Sequence, residues 1–195
     1  MDVTDRATVL ARAQGGDSEA FQALVEEHSR RVFQLAYRIT GNEHDAEDVV
    51  QESFLRAYRQ LSHFEQRANF GTWLYRIVAN CAVDSLRTRR SRGDHQVHAL
   101  VVDEVIQAQP TPGPGPERLA ESAEIQRRVS AAMDELTPVE RAAFTLRHYE
   151  GRSIDEICRT LNLKTSAAKH SVFRAVKKLR TALEPLRTPG LGVTD

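Results

Sequence analysis

Apolar residues recur at intervals of three and four along nearly the whole chain, and no alternating apolar and polar run bounded by turn residues interrupts them. That spacing puts one stripe of side chains on a helix face and leaves no strand of any length, so the class is all-α. Phe21, Leu24, Val25, His28, Val32, Leu35, Ala36 and Ile39 trace such a stripe. It predicts a long helix that begins after Gly16-Asp17-Ser18, with Asp17 or Ser18 as cap, and stops at Gly41. A second helix is expected from about Glu43 to Leu61 and a third from about Gly71 to Arg90, with a polar connection from Ser62 to Asn69 between them.

The pattern breaks at Pro110-Thr-Pro-Gly-Pro-Gly-Pro116, which cannot continue a helix and reads as a semi-extended linker. The expected layout is two small helical domains, 1–92 and 118–188, joined by a flexible linker over 93–117 and followed by a tail, 189–195. Four helices are expected after the linker, two with clear starts. Thr137-Pro-Val-Glu140 combines a capping Thr, Pro at the first helical position and a reciprocating Glu, and Ser153-Ile-Asp-Glu156 repeats the capping box.

Lys and Arg number 27, as do Asp and Glu, so the formal net charge is zero. The balance conceals segregation. Glu43, Asp45, Glu47, Asp48 and Glu52 lie in a stretch without Lys or Arg, whereas Arg152 to Arg187 holds nine basic residues against three acidic ones. Separate faces for separate partners follow. The N-terminus lacks the basic-then-apolar pattern of a signal peptide and no apolar run reaches membrane-spanning length, so a cytoplasmic protein without membrane insertion is expected. Cys81 and Cys158 sit at apolar helical positions and read as buried thiols. His44 beside Asp45 and Glu47 has no metal-ligand spacing, and no Gly-rich phosphate loop or nucleophile elbow is present. No enzyme, metal or cofactor is expected.

Ile154, Ile157, Cys158 and Leu161 form the buried stripe of a short helix, and Asn162-Leu163-Lys164 makes a turn in which Asn can take the left-handed conformation. A helix from Thr165 then buries Ala168, Val172, Ala175, Val176 and Leu179 and presents Ser166, Lys169, His170, Ser171, Phe173, Arg174, Lys177 and Lys178. Two short helices with a tight turn, the second basic on its outward side, match a helix-turn-helix whose second helix enters the major groove. Lys169, His170 and Ser171 are placed to meet base edges, and Lys177, Lys178 and Arg180 to meet phosphates.

Asp45, Asp48, Glu52 and Arg56 share a face of the second helix, while Val50, Phe54, Ala57, Tyr58 and Leu61 face a core. With Val49 and Leu55 exposed beside it, the acidic strip suits a basic protein surface; an acidic first turn satisfying the helix dipole explains Asp45 and Glu47 equally well. Trp73, Arg76, Asn80, Asp84 and Arg87 line the third helix, which ends in Arg87-Thr-Arg-Arg90. Aromatic rings beside Arg and Asn suit stacking on exposed bases, and a core role suits Trp73 as well.

Taken together these pieces resemble the extracytoplasmic-function (ECF) sigma factors of the sigma-70 family. The resemblance rests on Asp45-Ala-Glu-Asp-Val-Val-Gln-Glu-Ser-Phe54, on Phe70-Gly-Thr-Trp-Leu-Tyr-Arg-Ile77 with Asn80 and Asp84, on Leu136-Thr-Pro with Glu140-Arg141, and on Gly151-Arg-Ser-Ile-Asp-Glu-Ile157 with Leu161. It implies a transcription initiation factor that binds core RNA polymerase at the β′ clamp helices and β flap, and promoter DNA. Asp45, Asp48, Gln51, Glu52, Leu55 and Arg56 would bind polymerase. Phe64, Asn69, Phe70, Trp73, Arg76 and Asn80 would line the site that captures flipped bases of the minus-ten element, and Arg87, Arg89 and Arg90 would hold upstream phosphates. Thr165, Ser166, Lys169, His170, Ser171, Phe173, Arg174, Lys177 and Lys178 would read the minus-thirty-five element. An anti-sigma factor is the implied inhibitor. Many relatives read Gly-x-Val-Lys-Ser-Arg where this chain has Ser166-Ala-Ala-Lys169-His170-Ser171, so Ser171 replaces a bidentate donor and promoter sequence does not transfer.

The alternative is a dimeric operator-binding regulator. It accounts for the helix-turn-helix, leaves the acidic and aromatic helices without work, and finds no heptad seam to form a dimer.

Overall fold

The first helix is one that apolar spacing did not announce. The computed structural model describes residues 3–65, 69–93, 125 and 127–184. In it α1 (Val3–Gln14) buries Leu10 and Ala13 among its described side chains, from residue 7 onward. Its end is tied to the rest by side chains: the Gln14 amide donates to the main-chain carbonyls of Leu61 at 3.1 Å and Phe64 at 2.7 Å, and Arg12 pairs with Asp17 at 2.6 Å.

The next three helices follow their punctuation. Asp17 caps α2 (Ser18–Thr40), accepting from the N–H groups of Glu19 and Ala20. Gly41 ends it at φ 83°, a left-handed conformation that costs glycine little, and returns its N–H to the Tyr37 carbonyl. Asn42 caps α3 (Glu43–Gln60), whose last carbonyls tighten into a 3-10 turn, Leu61–His63. Asn69 caps α4 (Phe70–Ser91) through the Gly71 N–H at 2.8 Å. A Cβ on Gly71 would lie 3.2 Å from the His28 ring, so a larger residue in the first turn of α4 would press on that ring of α2.

The linker expected over 93–117 lies outside the described residues except for Gly93, as does the tail at 189–195. Beyond it come a helical segment α5 (127–134), then α6 (Pro138–His148), α7 (Ile154–Leu161) and α8 (Thr165–Leu183). Both capping boxes form as the sequence proposed, with Thr137 and Glu140 exchanging bonds at α6 and Ser153 and Glu156 at α7. Asn162 takes the left-handed turn at φ 52°. Every regular element among the described residues is helical.

The apolar interior does not respect the expected domain division. Leu24, Leu35, Ile39, Leu74 and Val78 of α2 and α4 belong to the same buried cluster as Ala142, Ala143, Leu146, Ile157, Leu161 and Ala168 of the C-terminal helices. α6 and α7 pack on α4, and α6 also reaches α2. A smaller core of Ala132, Met133, Leu136, Ala175 and Leu179 joins α5 to α8. Each fully buried Leu or Ile contributes about 1.5–3 kcal/mol of transfer free energy, so the shared cluster is the main force holding the two halves together.

Candidate nucleic-acid interface

The recognition helix is built by what α7 and α8 bury. Ile157 and Leu161 on α7 and Ala168 on α8 close the helix-turn-helix, with Ala175 and Leu179 packing the far end of α8 against α5. Those contacts fix which side of α8 faces outward: Thr165, Ser166, Lys169, His170, Phe173, Arg174 and Lys177 are exposed, Phe173 at 66%. Ser171 is half-buried. Lys178 departs from the expected row, because its Nζ lies 2.7 Å from the buried Glu140 carboxylate and 3.4 Å from the Glu135 carbonyl. It staples α8 to α6 instead of standing free. That ammonium and the Thr137 N–H hold the Glu140 carboxyl below its usual range although burial works against its charge.

On α4 the expected minus-ten residues divide. Phe64 and Phe70 are buried and stack with Trp73 in one aromatic cluster, ring centroids 4.8–6.3 Å apart, with His28 against Phe70 at 5.3 Å. Phe64 and Phe70 are therefore core residues that shape the surface above them; an aromatic ring gains more from burial here than from solvent. Trp73 sits at the edge, half-buried, and Arg76, Arg87 and Arg90 are exposed. Asn69 is exposed, with its side-chain oxygen committed to the cap. Asn80 donates to the carbonyls of Arg76 at 2.7 Å and Thr160 at 2.8 Å. Arg89 does not stand free: it pairs with Asp45 at 2.6 Å.

The acidic face of α3 changes accordingly. Asp48, Gln51 and Leu55 are exposed, Leu55 at 45%, whereas Asp45 is consumed by Arg89. Glu52 and Arg56 pair at 2.6 Å, and Arg56 reaches Asp84 of α4 at 3.6 Å. Val49, expected outside, is buried, and Tyr58, expected in the core, is exposed with its ring edge-on to Phe21 at 4.9 Å. Phe54, Ala57 and Leu61 are buried as expected, so the buried stripe is displaced towards Val49 by less than the roughly 100° between neighbouring positions. The acidic strip itself stays outward, with apolar Leu55 and Tyr58 at its end.

Sequence reasoning missed the residues that join the halves. Arg38 pairs with Glu150 at 2.5 Å, the Thr145 hydroxyl donates to the Arg38 carbonyl at 3.5 Å, and the Arg152 guanidinium lies 4.9 Å from the centroid of the Tyr75 ring. Burial and the nearby Glu150 carboxylate push the Tyr75 phenol well above its ordinary value. Arg141 is buried against Asp134 at 2.9 Å, and desolvation lowers its affinity for a proton. No local signal marks such pairs, because each partner lies more than a hundred residues from the other in the case of Arg38 and Glu150. Cys81 is buried and Cys158 half-buried, both free; burial pushes the Cys81 thiol up. Among the described residues no group of three His, Cys, Asp or Glu is disposed to hold a metal ion, and no helix is long and apolar enough to cross a membrane.

An exposed basic recognition helix and a second helical unit with an arginine-bearing face and an acidic face define a DNA-binding protein of the sigma-70 class. Residues 24–92 match the family model of sigma-70 region 2, and residues 126–179 match that of sigma-70 region 4. The chain is 37% identical over 171 residues to the ECF RNA polymerase sigma factor SigE of Mycolicibacterium smegmatis, an alignment covering 86% of this chain and 64% of that protein's length. It is 30% identical over 190 residues to the ECF sigma factor SigW of Bacillus subtilis, covering 91% of this chain and 96% of SigW. The solved structure of CnrH in complex with the cytosolic domain of CnrY is similar at a TM-score of 0.59 and 28% identity, covering 94% of this chain and 99% of that one. The chain belongs to the ECF group of RNA polymerase sigma factors of the sigma-70 family.

Proposed function

We propose that this protein binds core RNA polymerase, directs it to a specific set of promoters and helps open the minus-ten element. The observation that carries this reading is the outward face of α8, where Ser166, Lys169, His170, Phe173, Arg174 and Lys177 stand exposed on a helix-turn-helix. In this reading residues 1–92 dock polymerase and open DNA, and residues 118–188 read the minus-thirty-five element. Asp48, Gln51, Glu52, Leu55 and Arg56 on α3 meet the β′ clamp helices, with Asp45 becoming available when it leaves Arg89. Arg76, Trp73, Asn69 and Asn80 meet the opened strand, above the support of Phe64 and Phe70. Arg87, Arg89 and Arg90 hold upstream phosphates.

An exposed aromatic edge beside arginine offers stacking and charge neutralisation together, which is what an unpaired strand rewards. The chain supplies recognition and no bond-making chemistry, and acts in the cytoplasm beside polymerase. CnrH is solved with the cytosolic domain of CnrY, and a protein inhibitor of the anti-sigma kind that covers the α3 face is the matching regulator here.

Transcription from a library of genomic fragments, reconstituted with core polymerase plus this protein, tests the proposal. Protein-dependent RNA from a subset sharing two spaced elements is expected. Absence of any transcript, together with tight binding of palindromic duplex by the protein alone, would establish the dimeric-regulator reading instead.

A further inference from the structure

α1 ends at a defined residue. The N–H groups of Gly16 and Asp17 return to the carbonyls of Ala13 and Arg12, both at 3.1 Å, with Gly16 left-handed at φ 92°. That pair of bonds stops the helix and fixes the backbone from which the Gln14 side chain departs. Leu10 and Ala13, on the turn before, are buried in the shared core.

Gln14 reaches across to the chain reversal between α3 and α4. Its amide nitrogen carries two hydrogens, and the carbonyls that accept from it, Leu61 at 3.1 Å and Phe64 at 2.7 Å, stand at the two ends of the 3-10 turn. The Phe64 N–H closes on the same Leu61 carbonyl at 3.1 Å. Phe64 itself leaves the turn in extended conformation, at ψ 107°, which swings its carbonyl out of the helical ladder and towards the donor that Gln14 supplies. One side chain thereby clamps both ends of the turn from 47 and 50 residues away in sequence.

The clamp bears on the strand-facing side of α4. The Phe64 ring lies 4.8 Å from Trp73 and 6.3 Å from Phe70, so the backbone that Gln14 holds carries the floor on which the half-buried Trp73 ring rests. Gln14 precedes both matched family segments, 24–92 and 126–179. The support therefore comes from outside the unit that it serves.

Resting on the reading of α4 as the strand-binding face, we propose that Gln14 is a positioning residue for strand opening. By holding the Leu61 and Phe64 carbonyls it keeps Phe64 beneath Trp73, so that the aromatic edge stands where an unpaired base can stack on it. It acts on the step that captures the minus-ten strand, and leaves docking to polymerase and the first encounter with duplex DNA to other residues.

The test uses the full chain, with core RNA polymerase and a promoter recovered from the genomic-fragment library. Q14M keeps the length of the side chain and removes its donors; Q14E also sets a carboxylate against two carbonyl oxygens. Trp73 is the single tryptophan of the chain, so its quenching by acrylamide reports the aromatic floor directly. Both variants are expected to raise that quenching. Both should leave affinity for core polymerase unchanged, as well as promoter binding at a temperature too low for opening. The rate of opening, followed by permanganate reactivity of unpaired thymines, should fall roughly tenfold in Q14M, the effect of two neutral hydrogen bonds lost at that step, and further in Q14E. Opening at the wild-type rate in Q14M would overturn the assignment. So would a parallel fall in core affinity, promoter binding and opening, which marks a general loss of fold. R76A checks the underlying reading: if it opens DNA like the wild type, α4 is not the strand site, whereas slow opening in R76A beside normal opening in Q14M removes Gln14 alone. A wild type that opens no promoter removes both.

Discussion

Asp45 and Arg89 form a 2.6 Å ion pair in which neither side chain keeps more than a fifth of its surface. The pair fastens the first turn of α3 to the last turns of α4 and makes partners of two residues expected to face polymerase and DNA separately. Removing Arg89 leaves the largely buried Asp45 carboxylate without a cationic partner, keeping the Asn42 amide at 2.6 Å. Arg89→Met or Asp45→Asn should each lower the unfolding free energy by about 1–3 kcal/mol, the range for an abandoned charged hydrogen bond. A double-mutant cycle by urea denaturation should return a coupling of about 1 kcal/mol or more, and strict additivity would deny the pair any energetic reality.

Stability near pH 4 should depend on Glu140. Its carboxyl is depressed in the folded state, so the stability it adds is complete above the unfolded pKa, near about 4.3, and is lost as pH falls through the lower folded value. The melting temperature of the wild type should therefore fall more steeply on acidification than that of Glu140→Gln. Parallel curves from neutral pH downward would contradict the assignment.

Neighbouring lysines on α8 should behave differently. Lys177 is exposed, and Lys177→Ala should reduce the salt dependence of duplex binding by about one counterion while leaving melting unchanged. Lys178→Ala should instead lower the melting temperature, because it removes the cation paired with the buried Glu140 carboxylate. For Lys169→Ala a loss of about 1–3 kcal/mol confined to one position of the bound sequence is expected of a base contact. Uniform weakening across sequences, measured by competition binding, would make Lys169 a phosphate contact.

Charge reversal at Asp48 and Glu52 should weaken binding to core polymerase, measured by pull-down or surface plasmon resonance, and leave binding of a minus-thirty-five duplex by the full chain intact. Asp48 is exposed and pairs only loosely with His44 at 3.8 Å, so its reversal perturbs little else. Equal loss of both activities would point to misfolding or to a different docking face.

Phe64→Ala should act on the fold first. Its ring is buried between Phe70 and Trp73, and truncation should cost about 3–5 kcal/mol, as for other buried aromatics. If the variant melts like the wild type and loses only strand binding, the ring belongs to the DNA surface after all.

Features with a local cause were legible in the sequence. Asp17, Asn162 and the two capping boxes each act within a few residues of themselves, and the structure places them where the spacing did. The helix-turn-helix was equally plain, because Ile157, Leu161 and Ala168 are periodic over a short span. The faces of α3 and α4 were less so. Periodicity locates a stripe only approximately, and that tolerance exchanged Val49 with Tyr58; the family resemblance is what placed Phe64 and Phe70 at the DNA surface, and both rings are buried. Lys178, Arg89 and Asp45 were misjudged for another reason: a charge on a helix shows its partner only when a distant segment packs beside it. Arg38 and Glu150 are the limiting case.

The shared core also bears on the order in which the chain is made. α4 ends at Ser91 and α6 begins at Pro138, so the apolar faces of α2 and α4 leave the ribosome well before the helices that cover them. At roughly 5–20 residues per second the interval lasts a few seconds. During it the nascent N-terminal half presents Tyr75, Asn80 and the surrounding apolar surface uncovered. Early engagement by polymerase or by a chaperone would then find a form of this surface that the finished molecule closes.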